Sequence, residues 1–256
     1  MEHLLRATAD AEARHFWFRG FRAFVTPLLR EAARRRRGAG TARILDCGCG
    51  TGANLALLNR FGRAFGFDLS PVGIRLGRQV GRTLLARASV AAAPFAGSTF
   101  DIVTSFDVLY ALDEETERRA IAEMFRVLKA GGFAVVNVAA MEILRGDHSV
   151  LSHELRRYSR AGLRDRLAAA GFVIERITYT NLSLFPAMAV ARALQRRRGL
   201  RSEGEAQQEI TVPPEPVNAL LTALLWAESV YLRWFTAPAG SSLLCLARKP
   251  EAAART

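Results

Sequence analysis

Asp46, Gly48, Gly50, Gly52 and Asp68 are the residues whose types and spacing carry chemistry in this 256-residue chain. An apolar run, Ile44-Leu45, ends in the Asp46 carboxylate. Three alternate glycines follow, and Asn54-Leu55-Ala56-Leu57-Leu58 resumes as a helix. Glycines so spaced let a backbone turn sharply and approach a ligand with no Cβ in the way. A helix opening after the turn points free N–H groups at whatever sits there. The next apolar run, Ala64 to Phe67, ends in Asp68, placed to accept both hydroxyls of an adenosine ribose. These residues predict a nucleoside-bearing cofactor. Gly48-x-Gly50-x-x-Ala53 also satisfies the dinucleotide fingerprint, so the glycines alone leave an NAD(P)-dependent oxidoreductase open.

The elements that must hold these residues follow from periodicity. Strands are expected at 43–46, 63–68, 84–89, 100–105 and 133–139, and helices at 52–60, 71–82 and 114–129. Such alternation predicts an α/β fold, a parallel sheet covered on both faces with ligands beyond the carboxyl ends of its strands. Asp46, Asp68 and Asp107 all fall at or just past those ends. Residues 1–37 read as an amphipathic helical region crowded with Phe16, Trp17, Phe18, Phe21 and Phe24. A helix at 161–170, a strand at 172–179, an apolar insertion and a last strand at 242–248 complete the chain.

Composition bounds the rest. Half of the residues are hydrophobic, enough for a buried core at this length. Three cysteines make no disulfide framework, and the Cys47-x-Cys49 pair has no second pair or nearby histidines to complete a metal site. The charged N-terminus lacks the apolar run of a signal peptide, so a cytoplasmic location is expected. The net charge is +12, and 34 of the 36 basic residues are arginine. Arg34–Arg37 before Gly38 and Arg196–Arg198 before Gly199 suit helix C-termini; an anionic partner is the other reading. No DNA-binding module is evident.

The wider succession is more specific than the glycines. Asp46-x-Gly48-x-Gly50-x-Gly52 is followed by Phe100-Asp101-Ile102-Val103, Ser105-Phe106-Asp107-Val108-Leu109 and Arg126-Val127-Leu128-Lys129-Ala130-Gly131-Gly132. Over residues 43–173 this resembles the class I S-adenosylmethionine-dependent methyltransferases, in particular the bacterial group related to the ubiquinone and menaquinone methylases. The resemblance implies a Rossmann-like seven-stranded sheet of order 3-2-1-4-5-7-6 with its last strand antiparallel. It implies an N-terminal helical lid (1–40), a cofactor-binding core (41–180 and 241–249) and a helical insertion (181–240). S-adenosylmethionine would sit on Asp46 and the Gly48-Cys49-Gly50-Thr51-Gly52 backbone, with Asp68 on the ribose. Leu69 would lie against the adenine, Ser89 and Val90 beside it, and the Phe106 backbone at the methionine amino group. Relatives often carry aspartate at Ser89 and Glu-His at Tyr110-Ala111, two departures in this chain.

Methyl transfer needs an aligned acceptor, exclusion of water and, for oxygen or nitrogen, a base. His148 and His153 share one polar stretch with Arg157 and Tyr158. That stretch resembles a substrate-covering segment of relatives. On the functional reading His153 or His148 is the base, Tyr158 assists it, and Arg157, Tyr110 and Trp17 contact the acceptor. On the other reading Ser159 caps the next helix and the histidines are ordinary loop residues. The expected acceptor is a small molecule, sugar or lipid-linked metabolite methylated at oxygen; an RNA methyltransferase using the arginines stays open. In the insertion, a stripe through Val217, Leu220, Leu221, Leu224, Tyr231 and Phe235 suggests a helix docked on the domain, with peripheral membrane contact or a dimer interface as alternatives. The acidic, proline-rich stretch from Glu203 to Pro216 reads as a linker and Pro250 to Thr256 as a tail.

Overall fold

The computed structural model describes residues 11–199 and 212–251. The expectations for residues 1–10, most of the acidic linker and the last five residues lie outside these. Seven strands form one sheet in the order β3-β2-β1-β4-β5-β7-β6. They are β1 (Arg43–Cys47), β2 (Arg63–Asp68), β3 (Leu85–Arg87), β4 (Phe100–Phe106), β5 (Leu128–Ala139), β6 (Val173–Thr180) and β7 (Ser242–Arg248). All pairings among β1 to β5 are parallel, and β7 runs antiparallel between β5 and β6. The expected order and its antiparallel strand are what the chain adopts.

Strand alternation sends neighbouring residues to opposite faces. Ile44, Ile102, Val135 and Leu244 pack with α1 (Phe16–Arg35), while Leu45, Val103 and Val136 pack with α4 (Glu114–Val127) and α6 (Arg160–Ala169). Between these, α2 (Leu55–Leu58) and α3 (Pro71–Gln79) precede α4, and α5 (Asp147–Leu151) lies before α6. Three helices after α1 open on side-chain caps. Ser70 accepts from Gly73 N at 3.2 Å, Asp113 from Thr116 N at 2.9 Å and Ser159 from Gly162 N at 3.0 Å.

The helix expected over 52–60 shrinks to the single turn of α2, because Gly52 at φ +76 keeps the preceding segment in the cofactor turn. The insertion folds as α7 (Phe185–Arg198) and α8 (Glu215–Tyr231), and α8 packs on α1. Its docking face corrects the expected stripe. Asn218, Leu225, Glu228 and Ser229 are buried, whereas Val217, Leu220, Leu224, Tyr231 and Phe235 are exposed. Polar anchors and one close approach set that face. Asn218 Oδ1 accepts from Phe16 N at 2.8 Å and Nδ2 donates to Arg14 O at 2.9 Å. Glu228 accepts from Leu182 N and Ser183 N at 2.8 and 2.9 Å. A Cβ on Gly20 would lie 2.4 Å from Leu225, so only glycine there lets α1 and α8 approach so closely.

Candidate active site

The β1-to-α2 turn is built backwards from β2. Gly48 N and Cys49 N both donate to Phe67 O, at 2.9 and 3.0 Å. Gly50 N donates to Asp68 Oδ2 at 2.8 Å, and Ser70 N donates to Asp68 Oδ1 at 2.8 Å. Asp68 thus shapes the turn that its position suggested it would serve. Gly48 stands at φ +78, and a Cβ there would meet Val108 at 2.5 Å. Two constraints therefore require glycine: a left-handed backbone and contact with the segment after β4. The thiols of Cys47 and Cys49 are buried, and burial drives both upward, away from the thiolate.

Asp46 is the electrostatic centre. It is 2% exposed; Oδ1 accepts from Thr104 Oγ1 at 2.6 Å, and Oδ2 is buried with no hydrogen-bond partner. Burial pushes its carboxyl from 3.8 up to about 7, with the charge of Asp68 adding and the Thr104 hydroxyl opposing. An unpartnered buried carboxylate oxygen is costly unless a ligand completes it.

The turn is also covered from the N-terminal side. Thr51 Oγ1 lies 3.4 Å from Glu12 Oε2, and Arg82 Nη1 donates to Thr51 O at 2.9 Å. Burial raises the Glu12 carboxyl, while Arg82, the Thr51 hydroxyl and Arg22 draw it back. Sequence reasoning expected a lid here but singled out Trp17, not Glu12. Trp17 N donates to His15 Nδ1 at 3.1 Å, making His15 the cap of α1.

Across the turn, Asp107 follows β4 in a left-handed conformation, φ +60. Its carboxylate accepts from Asn137 Nδ2 at 2.9 Å. Asp107 is exposed at its surface, yet desolvation by the protein around it raises it from 3.8 to about 7. Glu154 adds to the rise; the Asn137 amide and Arg157 oppose it. The sequence put Asp107 at the right edge of the sheet but offered no reason to pick it as a titrating group. Its partner Asn137 is brought to it by the β4–β5 pairing.

The predicted acceptor residues divide. Tyr158 is buried, and its hydroxyl donates to Glu117 Oε1 at 2.7 Å, inside a cluster with Arg156 and Arg166. Arg157 spans Glu154 Oε2 at 2.8 Å, Glu154 Oε1 at 3.0 Å and Ala140 O at 3.1 Å. Both side chains are thus committed to protein partners. Tyr110 is buried, and burial raises its phenol, which bonds to Ser152. His153 is exposed at φ +50, and the His148 side chain lies outside the description. Leu69 is 63% exposed beside Asp68. Ser89 turns its hydroxyl to its own loop, accepting from Ala91 N at 3.2 Å, and Val90 is half-buried. Phe106 meets the Phe21 ring edge-on at 5.0 Å.

Residues 45–136 match the family described as a methyltransferase domain. The chain carries a class I S-adenosylmethionine-dependent methyltransferase domain. It is similar to the tRNA (carboxymethyluridine(34)-5-O)-methyltransferase of Arabidopsis thaliana, 37% identical over 39% of this chain and 24% of that protein. It is also similar to the ubiquinone/menaquinone biosynthesis C-methyltransferase UbiE of Yersinia pestis, 28% identical over 58% of this chain and 71% of the relative. A further similar protein, MJ1252 of Methanocaldococcus jannaschii, is matched over 47% of its length. The match to the Arabidopsis and Methanocaldococcus relatives therefore spans less than half of each.

Two solved structures share the fold of the methyltransferase domain. A chain of the complex between the Haloferax volcanii Trm112 methyltransferase activator and a methyltransferase superimposes with TM-score 0.58 at 20% identity, over 97% of this chain and 96% of that one. The [4+2]-cyclase SpnF gives 0.54 at 24% identity, over 89% and 81%.

The domain's residues fit S-adenosylmethionine. The buried free oxygen of Asp46 suits the ammonium of the methionine moiety, and exposed Leu69 offers an apolar surface next to Asp68.

Proposed function

We propose that the protein transfers a methyl group from S-adenosylmethionine to an oxygen of a small-molecule, sugar or lipid-linked acceptor, with Asp107 as the base. The observation that supports this reading most directly is the pair of acids on either side of the turn. Asp46 is shut away with one oxygen unpartnered, and Asp107 is open to solvent with its carboxylate steadied by Asn137. The bound cofactor supplies an electrophilic methyl on a sulfonium, so the protein's task is alignment, desolvation and disposal of a proton. Asp46 holds the cofactor's cationic end and Asp68 its ribose. Asp107, with its carboxyl near 7, is about half-ionised at neutral pH and basic enough to accept a proton from a hydroxyl losing it. The buried Glu154–Arg157 pair braces the wall beside it.

The test is a labelled-methyl acceptor screen with hydroxylated small molecules, sugars and lipid-linked alcohols, run alongside calorimetric titration of S-adenosylhomocysteine. Tight binding with label incorporated into a hydroxyl acceptor supports the reading. Binding with no transfer to any acceptor class counts against the enzyme, and transfer to nitrogen or carbon alone counts against oxygen.

A second reading, an RNA acceptor, draws on an open groove of about 450 Å³ lined by Arg75, Arg78 and Arg87 next to Pro71, hence beside the Asp68 loop. It predicts steeply salt-dependent affinity for transfer RNA.

A further inference from the structure

The outward face of α8 has no polar side. Glu228 is the only charged residue from Pro216 to Leu232, and it is buried against the amides of Leu182 and Ser183. The outward positions are Leu220 (69% exposed), Trp226 (60%), Tyr231 and, past the helix end, Trp234 (81%) and Phe235 (56%). α7, whose leading turn Glu228 binds, adds an apolar stripe beside its arginines. Ala187, Val190, Ala191 and Leu194 form one exposed stripe at helical spacing, and no residue of α7 is buried. A helix on a water-facing surface presents polar residues outward; one that is apolar all round is covered by something. Among the described residues, nothing in this chain covers these faces.

The charges around the apolar surface indicate what does. Within α7, α8 and residues 232–240, the exposed carboxylate is Glu215 alone, set against five arginines. The guanidiniums of Arg197 and Arg233 have no partner among the described residues. Among the described residues, a second copy docking face to face would bring arginine rims together with one exposed acid per copy to offset them. An anionic lipid surface satisfies both components, burying Leu and Phe while pairing arginines with phosphates. The aromatic content agrees, since Trp and Tyr rings are amphipathic and settle at headgroup depth. No helix among the described residues is long and apolar enough to cross a membrane. A helix of this kind lies in the interface plane.

We propose that α8, with the Trp234–Phe235 corner and the α7 stripe, is a docking surface for the headgroup region of an anionic phospholipid bilayer. The surface uses none of the residues of the cofactor turn, so failure of lipid binding leaves the methyl-transfer reading untouched. The full chain is floated with vesicles of phosphatidylcholine alone and of phosphatidylcholine mixed with phosphatidylglycerol, with tryptophan emission recorded in parallel. The expected result is binding to the mixed vesicles, weak binding to the neutral ones, and a blue shift of tryptophan emission. Leu220→Ser with Trp234→Ser lowers the partition at least about tenfold, equivalent to about 1.4 kcal/mol. Arg197→Gln with Arg233→Gln removes the preference for phosphatidylglycerol. All variants keep S-adenosylhomocysteine binding, which shows that they fold. A chain that binds neither vesicle, or that forms a dimer broken by Leu220→Ser while ignoring lipid, overturns the proposal.

Discussion

Asp46→Asn is expected to make the cofactor-free protein more stable at alkaline pH while weakening its hold on the cofactor. The carboxyl is 2% exposed, bonded on one oxygen only, and raised from 3.8 to about 7, chiefly by burial. At 1.36 kcal/mol per pH unit that rise corresponds to at most about 4 kcal/mol. The sign follows from proton uptake. The folded carboxyl takes its proton as pH falls through about 7, whereas the unfolded one waits until about 3.8. The folded state binds more protons in that window, so stability is gained as pH falls from about 7 to about 4, and the full penalty stands above about 7. Asparagine removes the charge but puts an unpaired amide N–H where Oδ2 was, a cost of about 1–3 kcal/mol. The balance is a variant more stable than its parent by about 1–3 kcal/mol near pH 9, worth a few degrees in Tm. Near pH 5 the order reverses.

Affinity for S-adenosylhomocysteine at neutral pH should fall by about 10- to 100-fold, as a charge-assisted hydrogen bond of about 1.5–3 kcal/mol is lost. Thermal denaturation at both pH values and calorimetric titration measure the two effects. An asparagine variant that is less stable at both pH values and binds the cofactor unchanged would refute the assignment of Asp46, and with it the electrostatic account of the site.

Three further perturbations probe other parts of the structure. With Asp107 acting as the base, the transfer rate should fall about tenfold per pH unit below about 7 and level off above it, because the raised carboxyl is protonated on the acid side. Asp107→Asn should lower kcat by about 10²–10⁴-fold with cofactor affinity intact, and an unaltered pH profile in that variant would rule Asp107 out. Glu117→Ala strands Arg156 and Arg166 and the Tyr158 hydroxyl, so a loss of about 2–4 kcal/mol is expected, read as a lower urea midpoint at unchanged slope. Gly20→Ala improves helix propensity by about 1 kcal/mol but pushes a methyl into Leu225, both at its tip (2.4 Å) and at its Cβ (2.8 Å). Net destabilisation is expected with a change in tryptophan emission from α8; a stabilised variant would show that α1 and α8 pack less tightly.

Local patterns were legible because they are local. Glycine spacing, the two strand-end acids and the alternation of periods two and 3.6 act within a few residues. The turn, the strands and the capping Ser159 appear where those patterns put them, and the order of the sheet follows the implied family pattern. The stripe expected to dock α8 failed for a physical reason. That helix turns its polar residues Asn218, Glu228 and Ser229 inward and its apolar ones outward, so hydrophobic contrast points to the wrong side. The choice fell to Asn218 bonding a backbone amide 202 residues away, to Glu228 holding the turn that precedes α7, and to the missing Cβ of Gly20.

Chemistry at the sheet edge divides in the same way. Aspartate at the end of β1 and after β4 is a fact of the sequence by itself. That one is sealed with an orphaned oxygen and the other faces solvent beside Asn137 is decided by which strands neighbour them and by what the chain folds over the turn. Burial and charge–charge distance are properties of the packed chain, and they set which carboxyl carries a proton near neutral pH.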